Sequence, residues 1–160
     1  MSAKARPDFT IAADSLDCPD VRALIDLHLA RAPRSSPVRT IPALSAEQLA
    51  QSDLSFFTAR LDGALAAIGA LREINAAKGE IKSMRTADAY LGKGAGSAIL
   101  SHLLGLARSR RYRWVGLETG RASAYLAAQR LYQKHGFREC PPYNDYPIDD
   151  FVMCMGLEIG

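Results

Sequence analysis

Apolar residues at Val21, Leu24, Ile25, Leu29 and Ala32, with His28 on the same stripe, recur at helical spacing. They predict a helix over 20–32, with Pro19 suited to its start. A short strand over 9–13 precedes it. Residues 33–42 carry three prolines and no period, so they read as an irregular stretch. Ser45, with Gln48 three positions on, can open a second helix in capping-box fashion. The pattern then changes. Strands are predicted over 56–61 and 65–73, joined by the two-residue hairpin signal Asp62-Gly63. Residues 65–71 are apolar on both faces, which marks a central strand. A turn over 75–79 leads to a strand over 80–86, and the three strands make an antiparallel meander.

The helical period returns with Ile99, Leu100, Leu103, Leu104 and Ala107 on one face. A strand over 114–119 follows, then a helix over 123–135 that ends at Gly136. Strands over 137–140 and 151–159 close the chain. Strand, loop, helix and strand from 81 to 119 form a βαβ crossover, whose two strands run parallel. No internal repeat or low-complexity segment interrupts this order.

Length and composition narrow the class. A chain of 160 residues suits one domain with one core, with residues 1–8 as a flexible N-terminal stretch. Its 48% apolar and 23% charged residues are ordinary for a soluble protein, and no apolar run is long enough to span a bilayer. Cys18, Cys140 and Cys154 are widely spaced, with neither metal-ligand spacing nor a disulfide framework, which suggests a reduced, cytoplasmic protein. The net charge of +3 is mild. The basic run Arg108, Arg110, Arg111 and Arg113 lies at a helix C-terminus, where cations complement the dipole, so neither nucleic acid nor membrane is expected as a partner.

The chemistry concentrates after the 80–86 strand. Glycines at 92, 94 and 96 let the backbone approach a ligand closely. The helix that follows leaves its first N–H groups unpaired, which suits phosphate. The loop is not a P-loop, because Gly92-Lys93 is followed by Gly94 rather than Ser or Thr. It is not the dinucleotide fingerprint either, because its spacing is G-x-G-x-G.

Leu91-Gly92-Lys93-Gly94-Ala95-Gly96 resembles the [Q/R]-x-x-G-x-[G/A] loop of the GNAT-superfamily N-acetyltransferases, with Leu91 in place of Gln or Arg. Ala128 to Phe137 resembles that family's A-x-x-L-Y-x-x-x-G-F block, at the expected distance. The resemblance implies the GNAT fold, an α/β (α+β) architecture with a mixed, mostly antiparallel central sheet and about four flanking helices. It implies acetyl-coenzyme A as co-substrate and no metal. The activity implied is direct acetyl transfer to a primary amine of a small molecule, an amino acid being one candidate. A homodimer stays open, as do an acyl-coenzyme A sensor or inactive module and a protein lysine or N-terminal acetyltransferase.

By the same resemblance, the backbone of Met84, Arg85 and Thr86 holds the pantetheine arm. Leu91, Gly92, Lys93, Gly94, Ala95, Gly96 and Ser97 surround the pyrophosphate. Tyr125 stands where many members place Asn, so that contact is either absent or replaced by ring packing. Tyr132 occupies the position of the acid that protonates the leaving thiolate. Glu118, on the strand bordering the expected opening, is the first candidate base, and Glu80 is the second, at the start of its strand. For the acceptor, Arg31, Arg34 and Arg39 could meet an anionic group, and Tyr143, Asp145, Tyr146, Asp149 and Asp150 a cationic one, with His28 on the first helix nearby.

Overall fold

The computed structural model describes residues 8–14, 18–31, 54–143 and 151–160. Seven strands form one sheet in the order β1-β2-β3-β4-β5-β7-β6. The strands are β1 (Thr10–Ala13), β2 (Leu54–Leu61), β3 (Ala64–Asn75), β4 (Lys78–Thr86), β5 (Trp114–Gly120), β6 (Arg138–Glu139) and β7 (Val152–Glu158). Three α-helices accompany them among the described residues: α1 (Pro19–Arg31), α2 (Ala95–Ser109) and α3 (Leu126–Lys134). The helix expected from Ser45 lies outside the described residues.

The hairpin signal at Asp62-Gly63 is realised. Both residues have positive φ, 51° and 84°, as a tight two-residue turn demands. β3 is buried from Ala66 to Leu71 and sits between β2 and β4, as an apolar run on both faces requires. β3 and β4 extend further than the sequence pattern suggests, because only Ala76 and Ala77 separate them, and the Asn75 side chain accepts from the Ala77 N–H at 2.8 Å. The strand expected over 137–140 differs most: β6 is only two residues long, while β7 keeps close to its expected length and lies between β5 and β6. The last helix opens with a 3-10 turn, Ser123–Tyr125, before α3 proper begins.

Each face of the sheet has its own cover. Val21, Leu24 and Ile25 of α1 pack on Phe56, Ile68 and Ala70. The opposite face buries Leu100, Leu103 and Leu104 of α2, with Tyr132 of α3, against Leu71, Ile81, Val115, Leu117 and Met155. All five apolar positions of the expected α2 stripe are buried. Arg60 ties α1 to the sheet edge: it donates to Asp20 at 2.7 Å and to Asp14 at 3.3 Å, and Thr58 also donates to Asp14 at 2.8 Å. The Arg60 guanidinium beside it holds Asp20 below the usual carboxylate range.

Trp114 fixes the far side of the sheet by lying across two paired glycines, Gly116 of β5 and Gly156 of β7. A Cβ on Gly156 would stand 2.6 Å from the indole Cζ2. Gly156→Ala should therefore overpack the site and cost about 1–3 kcal/mol. The check is a lowered thermal midpoint with a shifted emission of the chain's single tryptophan. An unchanged midpoint would mean that the ring moves aside freely.

Candidate active site

β4 and β5 pair in parallel over only three rungs, Lys78 with Trp114, Gly79 with Val115 and Glu80 with Gly116. Past Glu80 the two strands run on without pairing. The cause lies in β4. Its ladder to β3 shifts register between Ile68 and Ala70, so that Ser83 and Met84 together oppose Gly69. Ser83 takes φ 54°. A bulge of this kind bends and twists its strand, here away from β5. The open stretch of β4 leads through the 3-10 turn Asp88–Tyr90 into the glycine turn.

Gly92 and Gly94 both lie in the left-handed region, at φ 73° and 91°, and a Cβ on either would meet nothing within 4 Å. Gly94 caps α2, whose first bond runs from the Ala98 N–H to the Gly94 carbonyl. The N–H groups of Ala95, Gly96 and Ser97 therefore precede the helical ladder. Gly96 also has a packing role. A Cβ there would lie 3.2 Å from Leu131 and 3.3 Å from Thr86 Oγ1, so this glycine lets α2 pack closely on α3 and β4. Leu91 is 61% exposed. The Lys93 ammonium sits over the Tyr90 ring at 5.7 Å. Ser97 meets Nε2 of His135 at 3.4 Å.

On the α1 side of the sheet, at the foot of the opening, lies a buried carboxylate. Glu80 Oε1 accepts from Arg72 Nε at 3.1 Å and Nη2 at 2.9 Å, and stands 3.4 Å from Lys82 Nζ. Its Oε2 accepts from the Tyr143 hydroxyl at 2.6 Å. Tyr143 stacks edge-on against Trp114, with centroids 4.9 Å apart. Burial and then the Glu80 charge push its phenol well above the usual tyrosine range. Glu80 lies at the start of β4, as expected, but the opening starts there too. Glu118 is half-buried two residues beyond the last rung of β5, on the same face.

Tyr132 projects from α3 into the core of the other face, near Phe137, with ring centroids 5.9 Å apart. Burial raises its phenol above the ordinary range, so it stays protonated. Tyr125 packs its ring on Gly120, at the end of β5. Met84 packs beside Gly69, Arg85 pairs with Ile68, and Thr86 pairs with Ala67. His28 belongs to α1, although its side chain is outside the described part. Arg34, Arg39, Asp145, Tyr146, Asp149 and Asp150 lie outside the described residues.

The sequence reading missed Arg72 and Lys82. Alternation held part of the signal, since Glu80 and Lys82 are two apart on β4, but Arg72 stands opposite Glu80 only because the ladder shifts register between Glu73 and Asn75, which no local pattern announces. Among the described residues, no group of three His, Cys, Asp or Glu is placed to hold a metal, and no helix is long and apolar enough to cross a membrane.

Known proteins match this arrangement. Residues 21–137 fit the model of the acetyltransferase (GNAT) family. The chain is 40% identical over 151 residues to YedL of Escherichia coli (strain K12), an uncharacterized N-acetyltransferase, covering 94% of this chain and 95% of that one. It is 37% identical over 139 residues to YsnE of Bacillus subtilis (strain 168), likewise an uncharacterized N-acetyltransferase, covering 87% and 92%. A GNAT family acetyltransferase from Elizabethkingia anophelis, solved with acetyl-coenzyme A bound, shares the fold at a TM-score of 0.67 and 18% identity, covering 94% of this chain and 98% of that one.

The Glu80 cluster makes a stability prediction. Glu80→Ala removes a buried carboxylate that meets both Arg72 and Lys82, and should cost about 3 kcal/mol in urea unfolding. Glu80→Gln keeps the shape and an acceptor oxygen, so it should cost clearly less. Equal losses would show that the charge, not the shape of the side chain, holds the cluster.

Proposed function

The chain belongs to the GNAT family of acetyltransferases, and on that premise we propose that it carries acetyl from acetyl-coenzyme A directly to the primary amine of a small molecule, an amino acid being the acceptor class that suits it best. The observation that carries this reading is the divergence of β4 from β5 past the Glu80–Gly116 rung, leading to the glycine turn. An opened parallel pair leaves backbone N–H and C=O groups that a chain of amides can fill. Gly92 and Gly94 present open left-handed backbone beside the first N–H groups of α2, which suits a pyrophosphate.

In this reading the backbone of Met84, Arg85 and Thr86 holds the pantetheine arm, and the amides over 91–97 hold the pyrophosphate. Lys93 screens phosphate charge, and Tyr125 lines the arm with its ring. Acetyl-coenzyme A supplies the activated acyl group as a thioester. Tyr132, kept protonated by burial, donates to the departing sulfur. Glu118 draws the amine proton through water from the face it shares with Glu80. One observation favours a second route: the Tyr143 hydroxyl lies 2.6 Å from Glu80 at the foot of the opening, so this pair can pass the proton instead.

On the acceptor side, Tyr143 and His28 border the amine, and Arg34 and Arg39 meet an anionic group. The inactive or sensing alternative is decided by a thiol-release assay over a panel of amines, amino acids and protein extracts. Turnover with any acceptor removes it, and turnover with protein extracts alone would move the acceptor class to proteins.

The glycine turn gives the binding prediction. Gly94→Val places a β-branched residue in left-handed backbone, at a side facing open space, and should weaken acetyl-coenzyme A sharply in calorimetry. Gly96→Val should instead lower the thermal midpoint, because its side chain meets Leu131 and Thr86. Full affinity in a folded Gly94→Val would take the turn out of the site.

Kinetics separate the proton routes. Tyr132→Phe should keep cofactor affinity and lower kcat by roughly 10²–10⁴-fold. If Glu118 is the base, Glu118→Gln should remove the acidic limb of the pH–rate profile while Tyr143→Phe leaves it. The reverse pattern assigns the step to Glu80 and Tyr143. A Tyr132→Phe enzyme at full kcat would return that ring to packing alone.

A further inference from the structure

Two of the three cysteines, far apart in the sequence, meet in the sheet. β6 and β7 pair Arg138 with Gly156 and Glu139 with Met155. The same register sets Cys140 opposite Cys154, and the Cys140 N–H donates to the Cys154 carbonyl at 2.9 Å. Directly opposed residues of this hydrogen-bonded kind have Cα atoms about 5.5 Å apart, inside the roughly 4.4–6.8 Å span of a disulfide. Their side chains leave the same face of the sheet. Both are free thiols. Cys18 is engaged elsewhere, with its Sγ 3.6 Å from Asp14.

We propose that Cys140 and Cys154 form a reversible cross-strand thiol–disulfide pair, a modification site that tunes the acceptor side of the enzyme. Its placement gives it leverage. Cys154 pairs with Glu118 on β5. Cys140 is followed by Pro141, Pro142 and then Tyr143, whose hydroxyl holds Glu80. Proline fixes its own φ and restricts the residue before it, so this connector is stiff. Drawing the Cys140 sulfur onto Cys154 therefore displaces the Tyr143 ring.

The oxidant is a small disulfide such as oxidised glutathione. The thiolate of Cys140, the more exposed of the two, attacks one of its sulfurs. The small S–S bond breaks, and one small thiolate leaves and is protonated. The Cys154 thiolate then attacks the Cys140 sulfur of the mixed disulfide and releases the second small thiol. Two protein thiols are oxidised and one small disulfide is reduced to two thiols. Burial raises both protein thiols, Cys154 to about 11, so exchange is slow at neutral pH and quickens in alkali. The pair thus answers sustained rather than brief oxidation.

The test incubates the full chain with oxidised glutathione at mildly alkaline pH, then alkylates it and maps peptides without reductant. The expected result is a Cys140–Cys154 link, no retained glutathione, Cys18 alkylated, and full reversal by dithiothreitol. Cys154→Ser should trap glutathione on Cys140. The linked protein should show an acceptor KM raised severalfold and an unchanged acetyl-coenzyme A KM. Alkylatable thiols at 140 and 154, under conditions where the chain in denaturant reacts fully, would overturn the pair. So would glutathione retained on Cys140 of the natural chain. A link without any change in acceptor KM would overturn the tuning. The kinetic part rests on the acetyltransferase reading and the peptide map does not. A chain that closes the link but in its reduced form turns over no acceptor therefore sinks that reading and leaves the pair standing.

Discussion

A parallel pair of strands inside a sheet cannot part unless the backbone groups it abandons find other partners, because an unpaired buried N–H or C=O costs about as much as a lost hydrogen bond. The parting of β4 from β5 after the Glu80–Gly116 rung is the constraint to which the rest of this molecule answers. It requires β4 to bend, and the bulge at Ser83 and Met84 supplies the bend. It requires a small residue opposite the bulge, and Gly69 is there, since a Cβ would stand 2.7 Å from the Met84 sulfur. It also requires the helix after β4 to come close, which Gly96 permits.

The two faces of the opened sheet carry different physics. The α2 and α3 face is apolar, and burial there keeps Tyr132 in its neutral form. The α1 face holds Glu80 with two cations and a phenol, each oxygen engaged. A buried charge set of this kind adds little net stability and much geometric definition, since each member fixes the others. Trp114 and Tyr143 wall the cluster, and Gly116 and Gly156 give the indole its place.

Most of this fold was legible in the sequence because its elements obey one period each. Asp62-Gly63, the apolar run of β3 and the α2 stripe all carry local signals stronger than any competing one. The glycine turn and the α3 block were legible as a pair of spaced motifs. What escaped depends on register. The insertion of β7 between β5 and β6 is a long-range choice that no local pattern encodes. The contact of Arg72 and Tyr143 with Glu80 needed the β3–β4 register and the course of the chain after β6. The packing of Gly96 against Leu131 and Thr86 also escaped, because sequence shows that a side chain is missing, not which way it would have pointed.

The bulge also acts as a phase shifter. Before it, the even-numbered residues Glu80 and Lys82 face α1, while Ile81 faces α2. After it the parity is reversed: Arg85, opposite Ile68, faces α1, while Met84 and Thr86 turn toward α2. One strand thus serves two clients with opposite counting rules. For this stretch, length is a stricter requirement than chemistry. A single exchange disturbs one contact, but one residue gained or lost would hand every later side chain to the wrong client.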